Sequence, residues 1–322
     1  MRQLWGDKVE LLAFRQRRLP GVITSSRERD VSRRVEDEFS LTVFESLDDA
    51  LSAKPDGVFV CTPSSKHLEI AQPAAAAGCH LFIEKPLSHT LVGVETLRRT
   101  IAVGKLVALV GCQWRYHPCI QWLRRVLKAG TLGQVHDVEI EYGEYLPDWH
   151  PYEDYRASYA ARAEFGGGVI LTQIHDYDLA WWLFGPARRV RASGGRLSEL
   201  DVDVEDTVDA RLECSVPVRI RQTFASRPAR RLITVRGEHG SIVIDLLAAA
   251  ITTDSPVVTP PHEIGYERNQ MFIDELTHFE ACVAGRDQPL VPIEDGIAVL
   301  RVALAVKTAL QTGDTIDIGK DE

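Results

Sequence analysis

The sequence predicts an α/β chain in two parts: a doubly wound parallel sheet, then an α+β half built on a mainly antiparallel open sheet. Two patterns carry this. Over residues 9–112 short apolar runs alternate with stretches of helical spacing, whereas from about residue 119 apolar and polar residues alternate one by one. Length is the third observation, since 322 residues suffice for two cores rather than one.

Arg2-Gln3-Leu4-Trp5-Gly6 reads as the tail of a helix with a glycine stop, and VELLAF (Val9–Phe14) as a strand. Further strands are expected in LTVFES (41–46), GVFVCTP (57–63), HLFIEKP (80–86) and LVALVGC (106–112). Helical spacing falls between them, in LDDALSAK (47–54), LEIAQPAAAAG (68–78) and VGVETLRRTIAVG (92–104). Strands that are apolar on both faces and separated by helices belong to a parallel sheet covered on both sides, the Rossmann-like plan. Cys119–Gly130 predicts a linking helix, VHDVEIEYGEY (135–145) a strand, and the segment near 167–184 a helix. Alternating segments follow at 188–197, 206–216, 218–227 and 231–245, and two helices close the chain at 271–285 and 294–313. No Pro/Gly/Ser linker separates the halves, so the division is placed at a tight hinge, giving 1–118 and 119–322.

Composition excludes several classes. A net charge of −9 without a basic stripe argues against a nucleic-acid partner. No apolar run reaches the roughly 18 residues of a membrane helix, and no apolar signal core opens the chain. Six scattered cysteines (Cys61, Cys79, Cys112, Cys119, Cys214, Cys282) include no C-x-x-C pair. Reduced thiols in a cytoplasmic protein are therefore expected, with no structural metal.

Three stretches could carry chemistry. CTPSSKH (61–67) ends a buried strand, where ligands meet free backbone N–H groups, although a plain strand-to-helix turn with a serine N-cap reads the same. Glu84-Lys85-Pro86 ends the next strand and faces the same crevice, although a lone Glu-Lys pair is usually a solvated ion pair. GGGVILTQIHDYD (166–178) places three glycines before a helix bearing His175 and Asp178, and a helical histidine is more often structural than catalytic.

Together these stretches resemble the Gfo/Idh/MocA oxidoreductases, the relatives of glucose–fructose oxidoreductase and inositol dehydrogenase. The T-P-x-x-x-H turn, the E-K-P turn, the G-G-G…H-x-x-D segment and the closing Glu294-Asp295-Gly296 carry the likeness over nearly the whole chain. The resemblance implies a nicotinamide-dependent enzyme moving hydride to or from a sugar or polyol carbon. It implies Lys85 hydrogen-bonded to the reacting hydroxyl and His175 as proton donor or acceptor. It further implies that Cys61, Thr62, Pro63 and His67 line the nicotinamide side, with Glu84 bracing the loop. Trp114 and Arg115 would reach the cofactor from the junction. An open sheet supporting a homodimer or homotetramer is also implied. The rival reading is a non-catalytic binding or regulatory protein on the same scaffold.

Two departures stand out. Thr172 occupies the position where many members carry an aspartate, and the spacing to the histidine is one residue short. Asp176 is the candidate to supply the missing carboxylate. Upstream, residues 144–167 are dense in aromatics and arginines, with Trp149, His150 and Arg162 as candidate substrate contacts. Such a segment suits a sugar carrying an anionic group, or else orders an oligomer interface.

The family's first strand and G-x-G-x-x-G turn have no counterpart near Met1, and about 20 residues would complete that unit. A central strand lost naturally would forfeit on the order of 10 kcal/mol of burial, comparable with a whole domain's stability. A start placed one β–α unit late is therefore expected, with an inward shift of the second strand as the alternative. Three arginines, Arg15, Arg17 and Arg18, follow VELLAF where an acidic residue usually takes the ribose of NAD. They favour NADP(H) over NAD(H), unless they form a solvated basic turn.

Overall fold

The computed structural model describes residues 1–14, 21–24 and 26–319. Arg15, Arg17 and Arg18, and the cofactor preference read from them, lie outside the described residues. The N-terminal half contains strands β1 (Leu12–Phe14), β2 (Val22–Ile23), β3 (Arg29–Asp30), β4 (Thr42–Phe44), β5 (Gly57–Val60), β6 (His80–Glu84) and β7 (Ala108–Gly111). Its helices are α1 (Arg2–Trp5), α2 (Val35–Glu38), α3 (Leu47–Ser52), α4 (His67–Ala76) and α5 (Val94–Gly104). The parallel sheet stands in two pieces, β1 with β4 and β5-β6-β7, while β2 and β3 form a small hairpin. Among the described residues β1 pairs with β4 alone, so the inward shift considered from the sequence is not seen.

The central strand β6 shows why this half is apolar throughout. Successive side chains point to opposite faces. Leu81 and Ile83 enter the main core, and Phe82 packs on the other side with Phe59 and Phe279, ring centroids 5.1 and 5.8 Å away. Each such side chain contributes about 2 kcal/mol by leaving water. Packing on both faces fixes the strand end, and with it Glu84-Lys85-Pro86.

The C-terminal half begins with α6 (Pro118–Lys128) and β8 (Val135–Tyr145), followed by α7 (Val169–Thr172) and α8 (His175–Phe184). Then come β9 (Arg189–Gly195), β10 (Thr207–Glu213), β11 (Pro217–Thr223), β12 (Ala225–Gly237), β13 (Gly240–Asp245) and β14 (Ala250–Thr253). The helices α9 (Arg268–Val283) and α10 (Ile293–Thr312) precede a last short strand, β15 (Ile316–Asp317). Eight strands form one sheet in the order β14-β13-β12-β8-β11-β10-β9-β15, in which the β8–β11 ladder is parallel and the others antiparallel. Val138 and Ile140, Val218 and Ile220, and Ile233 and Val235 point inward in register, while Glu139, Glu141, Arg219 and Arg221 point outward. α9 adds Phe279 to the aromatic cluster on the β5-β6-β7 sheet.

Two local differences from expectation have physical causes. The helix expected near 167–184 is broken, because Gln173 leaves helical geometry (φ −105°, ψ 38°) and its carbonyl accepts from Gln222 Nε2 at 2.7 Å. VELLAF is extended but ladders only from Leu12, where Thr42 begins to pair with it. No helix among the described residues is long and apolar enough to cross a membrane.

Candidate active site

β5 and β6 run side by side, Val60 opposite Ile83, so the turns leaving them are neighbours at the carboxyl end of the sheet. His67, the first residue of α4, ties the two turns together. Its Nδ1 lies 2.7 Å from the Pro86 carbonyl and its Nε2 2.8 Å from the Thr62 carbonyl. It is 1% exposed, and burial pulls its basicity below the usual imidazole range. A neutral His67 has one N–H, so it donates to one of these two carbonyls while its other ring nitrogen lies against the second. Beside it the Thr62 Oγ1 and Ser65 Oγ hydroxyls are buried without a hydrogen-bond partner. Pro63 leads into this turn, and Cys61 is exposed at its start.

Lys85 crosses from the sheet to the second half. Its Nζ donates to the Thr172 carbonyl at 2.8 Å, at the end of α7. Thr172 Oγ1 and, three residues on, His175 Nδ1 are both buried and unpartnered. Lys85, Thr172 and His175 therefore bring an ammonium, a hydroxyl and an imidazole to one junction. Burial, then the charges of Lys85 and Arg231, hold His175 well below its ordinary basicity, so it is neutral near pH 7. Glu84 accepts from the Lys85 backbone N–H at 3.3 Å. Burial pushes its carboxyl up, and the Lys85 charge opposes that.

The glycines set α7 against its surroundings. Gly168 has φ +99°, and a Cβ there would come within 2.2 Å of the Glu205 carboxylate. At Gly167 a Cβ would lie 2.5 Å from the Tyr159 carbonyl. A side chain at Gly167 would collide with the backbone of 159–162, and one at Gly168 would displace the Glu205 carboxylate and take up a strained φ.

Asp176 is 1% exposed and its oxygens are spoken for. One accepts from Gln222 Nε2 at 2.7 Å and the other pairs with Arg231 Nη1 at 3.3 Å. Gln222 also accepts from the Tyr177 hydroxyl at 3.0 Å, and Arg231 Nη2 donates to Gln173 Oε1. The Arg231 guanidinium lies 4.7 Å from the Trp114 ring centroid and 4.6 Å from that of Tyr142. Sequence reasoning missed Gln173, Gln222 and Arg231. A signal existed: Gln222 continues the inward positions 218 and 220, and Arg231 precedes the inward 233 and 235, so each is a polar residue in a core register.

Arg115 is a strut. It is fully buried, and its guanidinium is bonded to Asp178 at 2.6 Å, Asp295 at 2.7 Å and the Leu290 carbonyl at 2.8 Å. These partners occupy its guanidinium and hold the junction segment against α8 and α10. Trp114 next to it stacks on His117 at 5.5 Å. In the 144–167 segment, Trp149 Nε1 is buried and unpartnered, with its ring edge-on to Phe224. His150 pairs with Glu153 at 2.8 Å, and Arg162 donates to the Arg156 carbonyl within its own loop.

A nicotinamide cofactor fits the strand-end turns, since the partnerless Thr62 and Ser65 hydroxyls sit where parallel sheets bind nucleotides. No G-x-G-x-x-G occurs in the chain for the pyrophosphate.

Comparison with known proteins gives the family. Residues 9–112 match the oxidoreductase family with an NAD-binding Rossmann fold, and residues 120–243 match the GFO/IDH/MocA C-terminal domain. The chain belongs to the GFO/IDH/MocA family of oxidoreductases. Among its relatives, 1,5-anhydro-D-fructose reductase of Ensifer adhaerens is 28% identical over 82% of this chain and 80% of its own. Myo-inositol 2-dehydrogenase of Thermotoga maritima is 26% identical, over 80% and 78% respectively. Among solved structures, UDP-N-acetylglucosamine 3-dehydrogenase from Acidithiobacillus ferrooxidans superposes with a TM-score of 0.72 at 25% identity, covering 86% of this chain and 85% of that one.

Proposed function

We propose that the chain is a nicotinamide-dependent dehydrogenase or reductase that interconverts a hydroxyl and a ketone on a sugar or sugar-derived substrate. Residues 1–118 serve the dinucleotide and 119–322 the substrate. The observation that carries this is the approach of Lys85 to Thr172 at 2.8 Å, which sets an ammonium beside the partnerless Thr172 hydroxyl and His175 imidazole. When bound, the nicotinamide accepts the hydride in the oxidising direction and donates it in the reducing one.

The chain's own groups handle the proton. A neutral His175 can take the hydroxyl proton, and its burial among cations favours returning it in the reverse direction. Lys85 steadies the negative charge that develops on the substrate oxygen. The sugar relatives support the substrate class, and Arg15, Arg17 and Arg18 support NADP(H) over NAD(H) on sequence alone. The uncovered sheet face supports a homodimer or homotetramer.

The test is spectral turnover of NADPH and NADH with a panel of keto-sugars and inosose-type ketones. Turnover with at least one pair is expected, faster with NADPH, and Lys85→Ala is expected to lower kcat by about 10³-fold or more. Lys85→Ala that keeps the wild-type rate would sink the assignment.

A further inference from the structure

We infer that Arg231 is a positioning residue of this site: packed against the rings of Trp114 and Tyr142, it anchors Gln173 and Asp176 and so fixes the first turn of α8, from which His175 projects. The inference rests on the reading of His175 given above.

The geometry is unusual for an arginine on a sheet strand. Arg231 lies opposite Tyr142 in the β12–β8 ladder and Tyr142 opposite Gln222 in the next, so three polar side chains form one inward row. Arg231 is 4% exposed, with its guanidinium 4.7 Å from the Trp114 ring centroid and 4.6 Å from that of Tyr142. Stacking of this kind suits the planar guanidinium and not an ammonium. Its N–H groups go to Asp176 at 3.3 Å and to the Gln173 side chain, the two residues that flank Ile174-His175. Gln222 completes the frame from the neighbouring strand, holding the Gln173 carbonyl and the second Asp176 oxygen, both at 2.7 Å. His175 is thus bracketed by residues fastened to the sheet. Trp114 belongs to the junction segment, so one guanidinium joins junction, sheet and helix.

Arg231 also contributes charge. The charges acting on His175 are Lys85 from the β6 turn and Arg231 from β12, while the adjacent Asp176 faces Arg231, Lys85 and, from β8, Glu144. Lys85 and Arg231 both disfavour the imidazolium. Removing Arg231 and leaving Asp176 shifts that balance toward the imidazolium. His175 then becomes more basic, and the acid limb of alcohol oxidation moves to higher pH.

Two variants and two readouts test this. Arg231→Lys keeps the charge but loses the planar stack and the fork. It is expected to fold, to lower kcat about tenfold with KM within about twofold, and to leave the acid limb in place. Arg231→Met is expected to move both the acid limb and the His175 imidazole titration, followed by NMR, upward by about one pH unit. Wild-type kcat in a folded Arg231→Lys, or an unmoved His175 titration in a folded Arg231→Met, would overturn the inference. If Arg231→Met fails to fold, Arg231→Lys decides alone. If the wild type turns over no cofactor–ketone pair, the proposed function falls. The NMR titration then still decides whether Arg231 acts on His175.

Discussion

Thr172 shows what a single hydroxyl can report. Its Oγ1 is buried without a partner, and its carbonyl already holds Lys85 at 2.8 Å. A buried hydroxyl left unpaired costs the protein about 1–3 kcal/mol, which a ligand's hydrogen bond would recover. Thr172→Val removes that hydroxyl at nearly constant shape. If the hydroxyl serves substrate, stability is unchanged or up by about 1 kcal/mol while KM for the substrate rises about tenfold. Thermal unfolding and initial rates on the same preparation give both numbers. An unchanged KM would remove Thr172 from the substrate contacts. An aspartate at this position would add charge beside Lys85. Here that side of the junction holds only a carbonyl and a hydroxyl, and the nearby carboxylate, Asp176, is tied to Arg231 and Gln222.

At the scale of elements, α6 couples stability to pH through its cap. His117 Nδ1 accepts from the Cys119 N–H at 3.2 Å, so the cap needs a free lone pair. Burial brings the basicity of His117 down to about 4, against roughly 6.5 for an exposed imidazole. Between those values the unfolded chain binds the extra proton, so stability rises with pH there. The contribution is complete above about pH 6.5 and is lost as pH falls toward 4, and it is worth roughly 3 kcal/mol. His117→Asn keeps a capping acceptor and removes the titration, so the Tm of the variant should fall less steeply than that of the wild type from pH 6.5 to 4.5. Parallel curves would rule His117 out as the source. The elements themselves were largely legible in the sequence, because apolar runs in β6 and β7 and alternation in β8, β10 and β11 follow from which faces are buried. The E-K-P turn and His175 were legible as well, being tied to a strand end and a helix start. The ion pairs of Arg115 were not legible because its partners, Asp178 and Asp295, lie 63 and 180 positions away, a distance no local pattern spans. Arg231 escaped notice because its meaning depends on which strands pair with β12. The short β2–β3 hairpin, β14 and β15 carry too few apolar residues to stand out from loops.

For the whole molecule, the eight-stranded sheet leaves one broad face bearing rows of charge. Arg211 stands directly opposite Arg191 on one side and Arg219 on the other, a row of three like charges across β9, β10 and β11. Like charges opposite one another destabilise a sheet. Arg219 finds Asp209 at 2.5 Å and Arg191 bonds Thr315, but Arg211 has no ion pair among the described residues. One strand beyond β11 the sign reverses, where β8 presents Asp137, Glu139 and Glu141, each also paired on this face with Arg236 or Arg221. A two-fold axis lying in the face, parallel to the strands and over β11, would lay the acidic strand of each copy over the arginine row of the other. Eight strands spaced about 4.8 Å apart and about 20 Å long present roughly 750 Å² per copy, close to the roughly 800 Å² of a stable interface. The proposed self-association therefore predicts a particle of at least twice 35.9 kDa by light scattering at micromolar concentration. Arg211→Glu with Arg219→Glu should leave a folded monomer, because the row would then repel the partner's acidic strand. The wild-type assembly should also loosen between 0.1 and 1 M salt, as the screening length falls from about 10 to about 3 Å. A wild-type mass of 35.9 kDa would mean that the face stays open to solvent. Arg211 would then sit between two like charges with water as its main compensation.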